Sequence, residues 1–329
     1  MKKWKQKAIV QKVISYLPLS HKINYIFQKY VTKGVNLSDD YFYDKLGHAR
    51  DHIKSFQKYA DESIPSSCLE IGTGWYPIVP ISFFLVGADK IYSVDISFLT
   101  SKERLQITLQ MFVECDEACQ LKNYIDFLPD RFAIISSLLK DYGNFSLDEV
   151  LQKLNITYLV EDATKLSLPD NSINLVNSNN TFEHIYPDIL IPILKEFRRV
   201  VKKQDGVMSH FIDMSDHFAH FDKSINIYNF LQFSDKQWRW IDNSIQPQSR
   251  FRIYDYKQIY SDLNIPISDD TFRKGNLKEL KLIKLAAKFT DRPLEEIAKS
   301  HCHFISNMKT KAHTANKHIC ASGATTSSE

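Results

Sequence analysis

Between residues 67 and 212 the chain alternates short apolar runs with helical stretches, and no other feature constrains its fold as tightly. Residues 68–71 (Cys-Leu-Glu-Ile) form a strand-like run that ends in Gly72-Thr73-Gly74. Residues 81–86 form an apolar helix closed by Gly87, and residues 90–95 form a second run ending in Asp95. Three further strands are predicted over 156–160, 172–178 and 207–212. Helical patterns fill 99–155, with breaks near Pro129 and Gly143, and also 189–201. Strand and helix in alternation with short connections dictate a parallel sheet covered by helices on both faces, an α/β doubly wound, Rossmann-like architecture.

The flanks read differently. Trp4, Ala8, Val13, Ile14 and Leu17 recur at helical spacing among lysines and predict an amphipathic basic helix that stops before Pro18. Further helices are expected over 24–31 and 39–59, the latter with Phe42, Leu46, Ile53 and Phe56 near one face. Residues 1–60 carry twelve Lys/Arg against four Asp/Glu, and the rest of the chain thirty against thirty-five. A basic helical extension is thus joined to a mildly acidic body. Two readings of residues 1–17 stand: a helix packed on the main domain, or one resting on an anionic membrane face. The apolar run after the first lysines is broken at Gln11 and Lys12, which argues against a secretion signal and for a cytoplasmic protein. Five irregularly spaced cysteines provide no disulfide framework.

Beyond residue 212 the periodicity fades. Residues 211–254 hold ten Phe, Tyr or Trp, about twice the chain average of 12%, as expected of a segment covering a cleft. Helices are predicted over 256–263 and 277–289, a late strand over 301–306, and a polar tail over 308–329. The expected organisation is an extension over 1–60 and a main domain over 61–307. That domain carries a helical insertion at 97–155 and an aromatic covering loop at 213–254.

Glu70-Ile71-Gly72-Thr73-Gly74 sits at a strand-to-helix turn, where glycines let backbone amides approach an anionic or nucleotide-like ligand. Asp95 follows Gly74 by twenty-one residues at the end of the next strand, placed to bond the two hydroxyls of a ribose. The dinucleotide fingerprint needs a third glycine where this chain has Pro77, which counts against a nicotinamide-dependent dehydrogenase.

The acid-x-Gly-x-Gly arrangement resembles motif I of class I S-adenosylmethionine-dependent methyltransferases. Three segments extend the resemblance: Glu161-Asp162-Ala163-Thr164 after the third strand, Ser178-Asn179-Asn180-Thr181-Phe182-Glu183-His184-Ile185 after the fourth, and Glu196-Phe197-Arg198-Arg199-Val200 before Gly206. The likeness, to type-11-like bacterial members, covers residues 67–212. It implies a seven-stranded sheet and S-adenosylmethionine held by Glu70, Gly72, Thr73, Gly74, Asp95, Asp162, Ala163 and Asn179, with an acid near 162 meeting the adenine amino group. Tyr76 replaces the family's usual third glycine. The resemblance also implies a small-molecule or glycan acceptor, and the acidic body argues against nucleic acid.

Acceptor chemistry points to residues after the fifth strand. His210, Asp213, Asp216, His217, His220 and Asp222 fall within thirteen residues. Such a set can be a base with its orienting acid, a divalent-cation site, or a polar network capping the strand. The first reading makes His217 the base, Asp213 or Asp216 its orienter, and places His210 near the methyl group. A non-catalytic cofactor-binding scaffold is the remaining alternative, separated from an enzyme by turnover.

Overall fold

A computed structural model describes residues 2–17 and 37–309. Seven strands form one sheet in the order β3-β2-β1-β4-β5-β7-β6. The strands are β1 (Ser67–Ile71), β2 (Lys90–Asp95), β3 (Ile156–Val160), β4 (Leu175–Asn179), β5 (Val207–Asp213), β6 (Asp269–Arg273) and β7 (His301–Asn307). The first five pair in parallel, and β7 runs antiparallel between β5 and β6. The sheet starts in its middle: β1 leads outward to β2 and β3, and the chain then crosses back to β4 on the other side of β1. That reversal opens a crevice at the carboxyl ends of β1 and β4.

Successive strand residues divide between two cores. Cys68, Ile91, Ile156, Leu175 and Val207 face α2 (Asp39–Tyr59), α3 (Ile78–Val86), α4 (Lys102–Glu117), α5 (Pro129–Lys140) and α6 (Leu147–Lys153). Leu69, Val94, Val176, Met208 and Phe304 face the other way, against α7 (Pro187–Val200) and α9 (Ile253–Asp262). Every residue of α3 is buried, which is why that helix is apolar all round. Ser38 caps α2 by accepting from the Tyr41 amide, and Phe42, Leu46, Ala49, Ile53 and Phe56 form its buried face.

The expected helix over 39–59 and the strands over 90–95 and 156–160 have the bounds observed. The strand expected over 172–178 begins later, at Leu175. The helix expected over 277–289 stops at Lys281, because the Ala286 amide bonds the Leu231 carbonyl and pulls the chain onto the aromatic loop. The polar edge strand β6 was not expected: its Asp-Asp-Thr-Phe-Arg sequence has no buried face to impose a period of two. The helix expected over 24–31 and residues 310–329 of the expected tail lie outside the described residues.

Helix α1 (Lys3–Ser15) packs on the segment after β5. Trp4 meets Phe218 and Phe233, its amide donates to Asp222, and Lys12 donates to the carbonyls of Arg239 and Asp242. Trp4, Ala8, Gln11 and Ile14 are buried, so one face of this helix serves as a packing element. Val13 and Leu17, expected on that same face, are instead exposed. No helix among the described residues is long and apolar enough to cross a membrane.

The same segment is tied down by Arg252, wholly buried, whose guanidinium donates to the carbonyls of Met214, Ile297 and Lys299. Helix α8 (Asp235–Ile241) belongs to it and begins with a Ser234–Gln237 capping box.

Because Phe56 is fully buried between α2 and the sheet, Phe56→Ala should lower unfolding free energy by about 3–5 kcal/mol. Urea denaturation checks this, and a loss below about 1 kcal/mol would show that α2 is not integral to the core.

Candidate functional site

The crevice at the ends of β1 and β4 holds a cavity of about 220 Å³ lined by Glu70, Gly72, Thr73, Gly74, Tyr76, Asn179 and Asn180, with Tyr41 and Lys45 from α2. Gly72 and Gly74 both adopt left-handed backbone (φ 73° and 70°). A Cβ on Gly72 would lie 2.5 Å from Thr181 Oγ1, so glycine is required there for the turn and for the approach of the β4 loop. Asp95 Oδ2 accepts from the Gly74 amide at 3.4 Å, coupling the end of β2 to the loop.

One side-chain network fixes the floor of this cavity. Asn179 Nδ2 donates to Glu70 Oε1 at 2.8 Å. Its Oδ1 accepts from His48 Nδ1 (3.0 Å) and His52 Nε2 (3.1 Å). His52 Nδ1 then accepts the Ser209 hydroxyl at 2.7 Å, and that oxygen accepts His303 Nε2 at 2.7 Å. This proton arrangement satisfies all three imidazoles in their neutral forms. Burial pushes the His48 pKa down to about 3 and that of His303 to about 4, and holds His52 well below the ordinary range. Burial raises the Glu70 carboxyl to about 7, against the opposing hydrogen bonds of Thr73 and Asn179. Glu70 Oε2 and Thr73 Oγ1 are buried and lack an aligned hydrogen-bond partner.

Asp162 is exposed at the end of β3, where Oδ1 accepts the Thr164 amide at 2.9 Å, and Ala163 is buried in the core. These two are not among the residues lining the 220 Å³ cavity. Between the ends of β2 and β3, Ile96 is 79% exposed.

A second cavity, about 160 Å³, is lined by His48, Asn180, Phe211, Thr271, Arg273 and His301, among others. Asn180 lines both cavities. His301 Nε2 stands 3.3 Å from Asp213 Oδ1, and Asp213 Oδ2 lies 3.3 Å from His217 Nε2 and 3.9 Å from His220 Nε2. Burial would raise the Asp213 carboxyl, but hydrogen bonds and charge from His217, His220 and His301 outweigh it and hold the group well below the usual carboxylate range.

The structure divides the six-residue cluster seen in the sequence. Asp213, His217 and His220 come together. His210 does not join them: its ring is buried between Phe182 and Phe197, with Nδ1 on Ser178. The side chain of a strand residue alternates faces, and position 210 faces the α7 core. Asp216 is buried as a turn cap, bonding the Phe218 amide and Asn229 Nδ2, and Asp222 bonds the Trp4 amide. Sequence reasoning missed Tyr41, Lys45 and His48 in the cavity walls, since nothing in a helical period tells which crevice the helix will line. It treated His301 as an ordinary strand residue, although antiparallel pairing sets it opposite Asp213.

Residues 140–208, about a fifth of the chain, match the family model described as a methyltransferase domain. The match spans β3, β4 and α7 and enters β5. No curated protein matches the sequence. Among solved structures, a Burkholderia thailandensis 1,6-didemethyltoxoflavin-N1-methyltransferase with bound 1,6-didemethyltoxoflavin and S-adenosylhomocysteine is 9% identical, covers 87% of this chain and 85% of its own, and has a TM-score of 0.43. A Haemonchus contortus phosphoethanolamine N-methyltransferase with phosphomonomethylethanolamine and S-adenosylhomocysteine is 13% identical, covers 78% and 52%, and scores 0.40. The Haloferax volcanii complex containing the Trm112 methyltransferase activator gives 14% identity, 82% and 92% coverage, and 0.41. Residues 140–208 thus match a methyltransferase domain, and the sheet order is consistent with the Rossmann-like fold expected from the sequence.

The buried imidazoles set an acid limit on stability. Those of His48, His210, His184 and His303 have folded pKa values near 3, 3, 4 and 4, against about 6.5 when unfolded. Above pH 7 neither state binds these protons. As pH falls from about 6.5 towards 4 the unfolded chain takes them up and the folded chain does not, so stability should fall across that window. Melting temperature measured from pH 8 to pH 4 checks this; a flat profile would show the imidazoles to be solvated.

Proposed function

We propose that this methyltransferase methylates a hydroxyl of a small-molecule or saccharide acceptor bound in the 160 Å³ cavity. The observation that carries the reading is Asn180, which lines both cavities and so sets an acceptor beside the cofactor. The residues of the larger cavity suit the cofactor: Glu70 Oε2 and Thr73 Oγ1 are buried polar atoms at its wall with no well-aligned partner beyond each other, and Lys45 brings a cation within electrostatic reach of Glu70. Glu70, Thr73 and the amides of Gly72 and Gly74, with Asn179 behind them, would hold the methionine end. Asp95 would take the ribose hydroxyls. Asp162, Ala163 and the exposed Ile96 would flank the adenine. Bound there, S-adenosylmethionine supplies a methyl group already activated on a sulfonium.

The chain must then position the acceptor oxygen and remove its proton. The aromatic face of Phe211, stacked between His48 and His303 at 3.9 and 3.8 Å, stiffens the cavity wall. Arg273 and Thr271 offer hydrogen-bonding groups to a polyhydroxylated or acidic acceptor. His217, 3.3 Å from the Asp213 carboxylate that would orient it, is the place where a hydroxyl proton can be received. A nicotinamide-dependent dehydrogenase remains disfavoured by Pro77 and by Tyr76 in the cavity wall.

Two measurements test this. Asp95→Ala should weaken S-adenosylhomocysteine binding by roughly 10–150-fold, the equivalent of about 1.5–3 kcal/mol for lost charged hydrogen bonds; unchanged affinity in calorimetry would remove Asp95 from the cofactor site. His217→Ala should keep cofactor affinity while lowering turnover of a hydroxyl acceptor by roughly 10²–10⁴-fold. Full turnover in that variant would leave the cluster without a part in proton removal.

A further inference from the structure

We propose that Glu183, His184 and His217, joined by Asp213 from β5, bind a divalent first-row transition-metal cation at the edge of the acceptor cavity. The proposal rests on the reading of that cavity as the acceptor site, whose lining residue His301 stands 3.3 Å from Asp213.

The first observation is geometric. One ligand atom from each of Glu183, His184 and His217 lies within 4.8 Å of the others, and the same holds for Asp213, His217 and His220. His217 belongs to both triads. Tetrahedral ligands at about 2.0–2.1 Å from one cation stand about 3.4 Å apart, so side-chain rotations that bring the ligand atoms up to about 1.4 Å closer complete the set.

A second observation is independent of spacing. Glu183 is 1% exposed, and neither of its carboxylate oxygens has an aligned hydrogen-bond partner. A buried, unpaired carboxylate is among the costliest groups a fold can carry, and Asp213 puts a second one nearby. Burial first, then the charge of Asp213, drives the Glu183 carboxyl far up, against a weaker pull from backbone amides and Lys45. A bound dication removes that cost by compensating both carboxylates at once.

The imidazoles are prepared in the same sense. His184 Nδ1 donates to the Pro247 carbonyl at 2.7 Å, which can only accept, so Nδ1 carries the proton and Nε2 holds a free lone pair. A carbonyl behind a ring nitrogen is the arrangement that orients metal-binding histidines. His217 Nε2, buried and 3.3 Å from Asp213 Oδ2, belongs to a ring that meets the His184 ring edge-on at 4.8 Å between centroids. The loop that carries Pro247 is itself anchored: the Ser249 amide donates to the Glu183 carbonyl, and Gln248 Nε2 to the Ser215 carbonyl. His220, 62% exposed at the rim, marks the side open to solvent.

The donor set selects the ion. Two or three imidazoles with two carboxylates suit Zn²⁺, Co²⁺, Mn²⁺ or Fe²⁺, whereas Mg²⁺ and Ca²⁺ prefer oxygen alone. Such a cation would lower the pKa of an acceptor hydroxyl that approached it.

The test is a titration of chelator-stripped full-length protein with Zn²⁺ and with Co²⁺, followed by calorimetry and by the visible absorption of bound Co²⁺. The expected result is one equivalent per chain, no comparable binding of Mg²⁺, and at least a tenfold loss of affinity in Glu183→Gln and His217→Ala. His184→Gln is a third variant if either fails to fold, judged by circular dichroism. Absence of stoichiometric binding, or binding unchanged in the folded variants, overturns the proposal. The two readings separate cleanly. If no metal binds but His217→Ala still loses hydroxyl-acceptor turnover, the cation falls and the proposed function stands. If variant-sensitive binding is found but no hydroxyl acceptor is methylated, the cation site stands and the proposed function falls.

Discussion

The carboxamide of Asn179 is the joint on which the site depends. It stands at the last residue of β4, beside the reversal of strand order, and uses both ends: its nitrogen donates to Glu70 on β1, and its oxygen accepts two imidazoles from α2. Each partner is buried, so each hydrogen bond is formed in surroundings where leaving it unmade costs about 1–3 kcal/mol. The consequence is geometric. An N-terminal helix outside the alternating strand-helix pattern is held against β4 and β5, and its Tyr41 and Lys45 become part of the cavity wall.

From that joint the arrangement runs outward along β5. Ser209 passes the hydrogen-bond chain from His52 to His303 on β7, while Phe211 stacks on His48 and His303. The reversed strand β7 brings His301 opposite Asp213 at the carboxyl end of β5. The glycine loop, the two cavities and the carboxylate-imidazole cluster are thus positioned by strand ends and one helix. The aromatic segment after β5 is held by α1 on one side and by buried Arg252 on the other.

Much of this was legible in the sequence, for physical reasons that differ by residue. Strands β1 and β5 announce themselves because both their faces are buried and they read as largely apolar runs. Gly72, Gly74 and Asp95 are legible because a turn and a strand end leave few alternatives. Three features were hidden. His210 looked like its neighbours Asp213 and His217, but a strand alternates, and one residue's shift in register sends a side chain into the core. Glu183 and His184 were visible as residues, yet the sequence does not reveal that the loop returning at Pro247 and Ser249 buries one and fixes the tautomer of the other. Strand β6 was hidden because a solvated edge needs no apolar period.

The most direct test of the central claim is hydrogen–deuterium exchange of the full chain with and without S-adenosylhomocysteine. The account predicts slowed exchange in three places together: the loop at 72–76, the ends of β2 and β4 at 95–97 and 179–181, and α2 around 41–48. Protection of the glycine loop with α2 unchanged would contradict it, because the Asn179 joint would then not make the N-terminal helix part of the cofactor site.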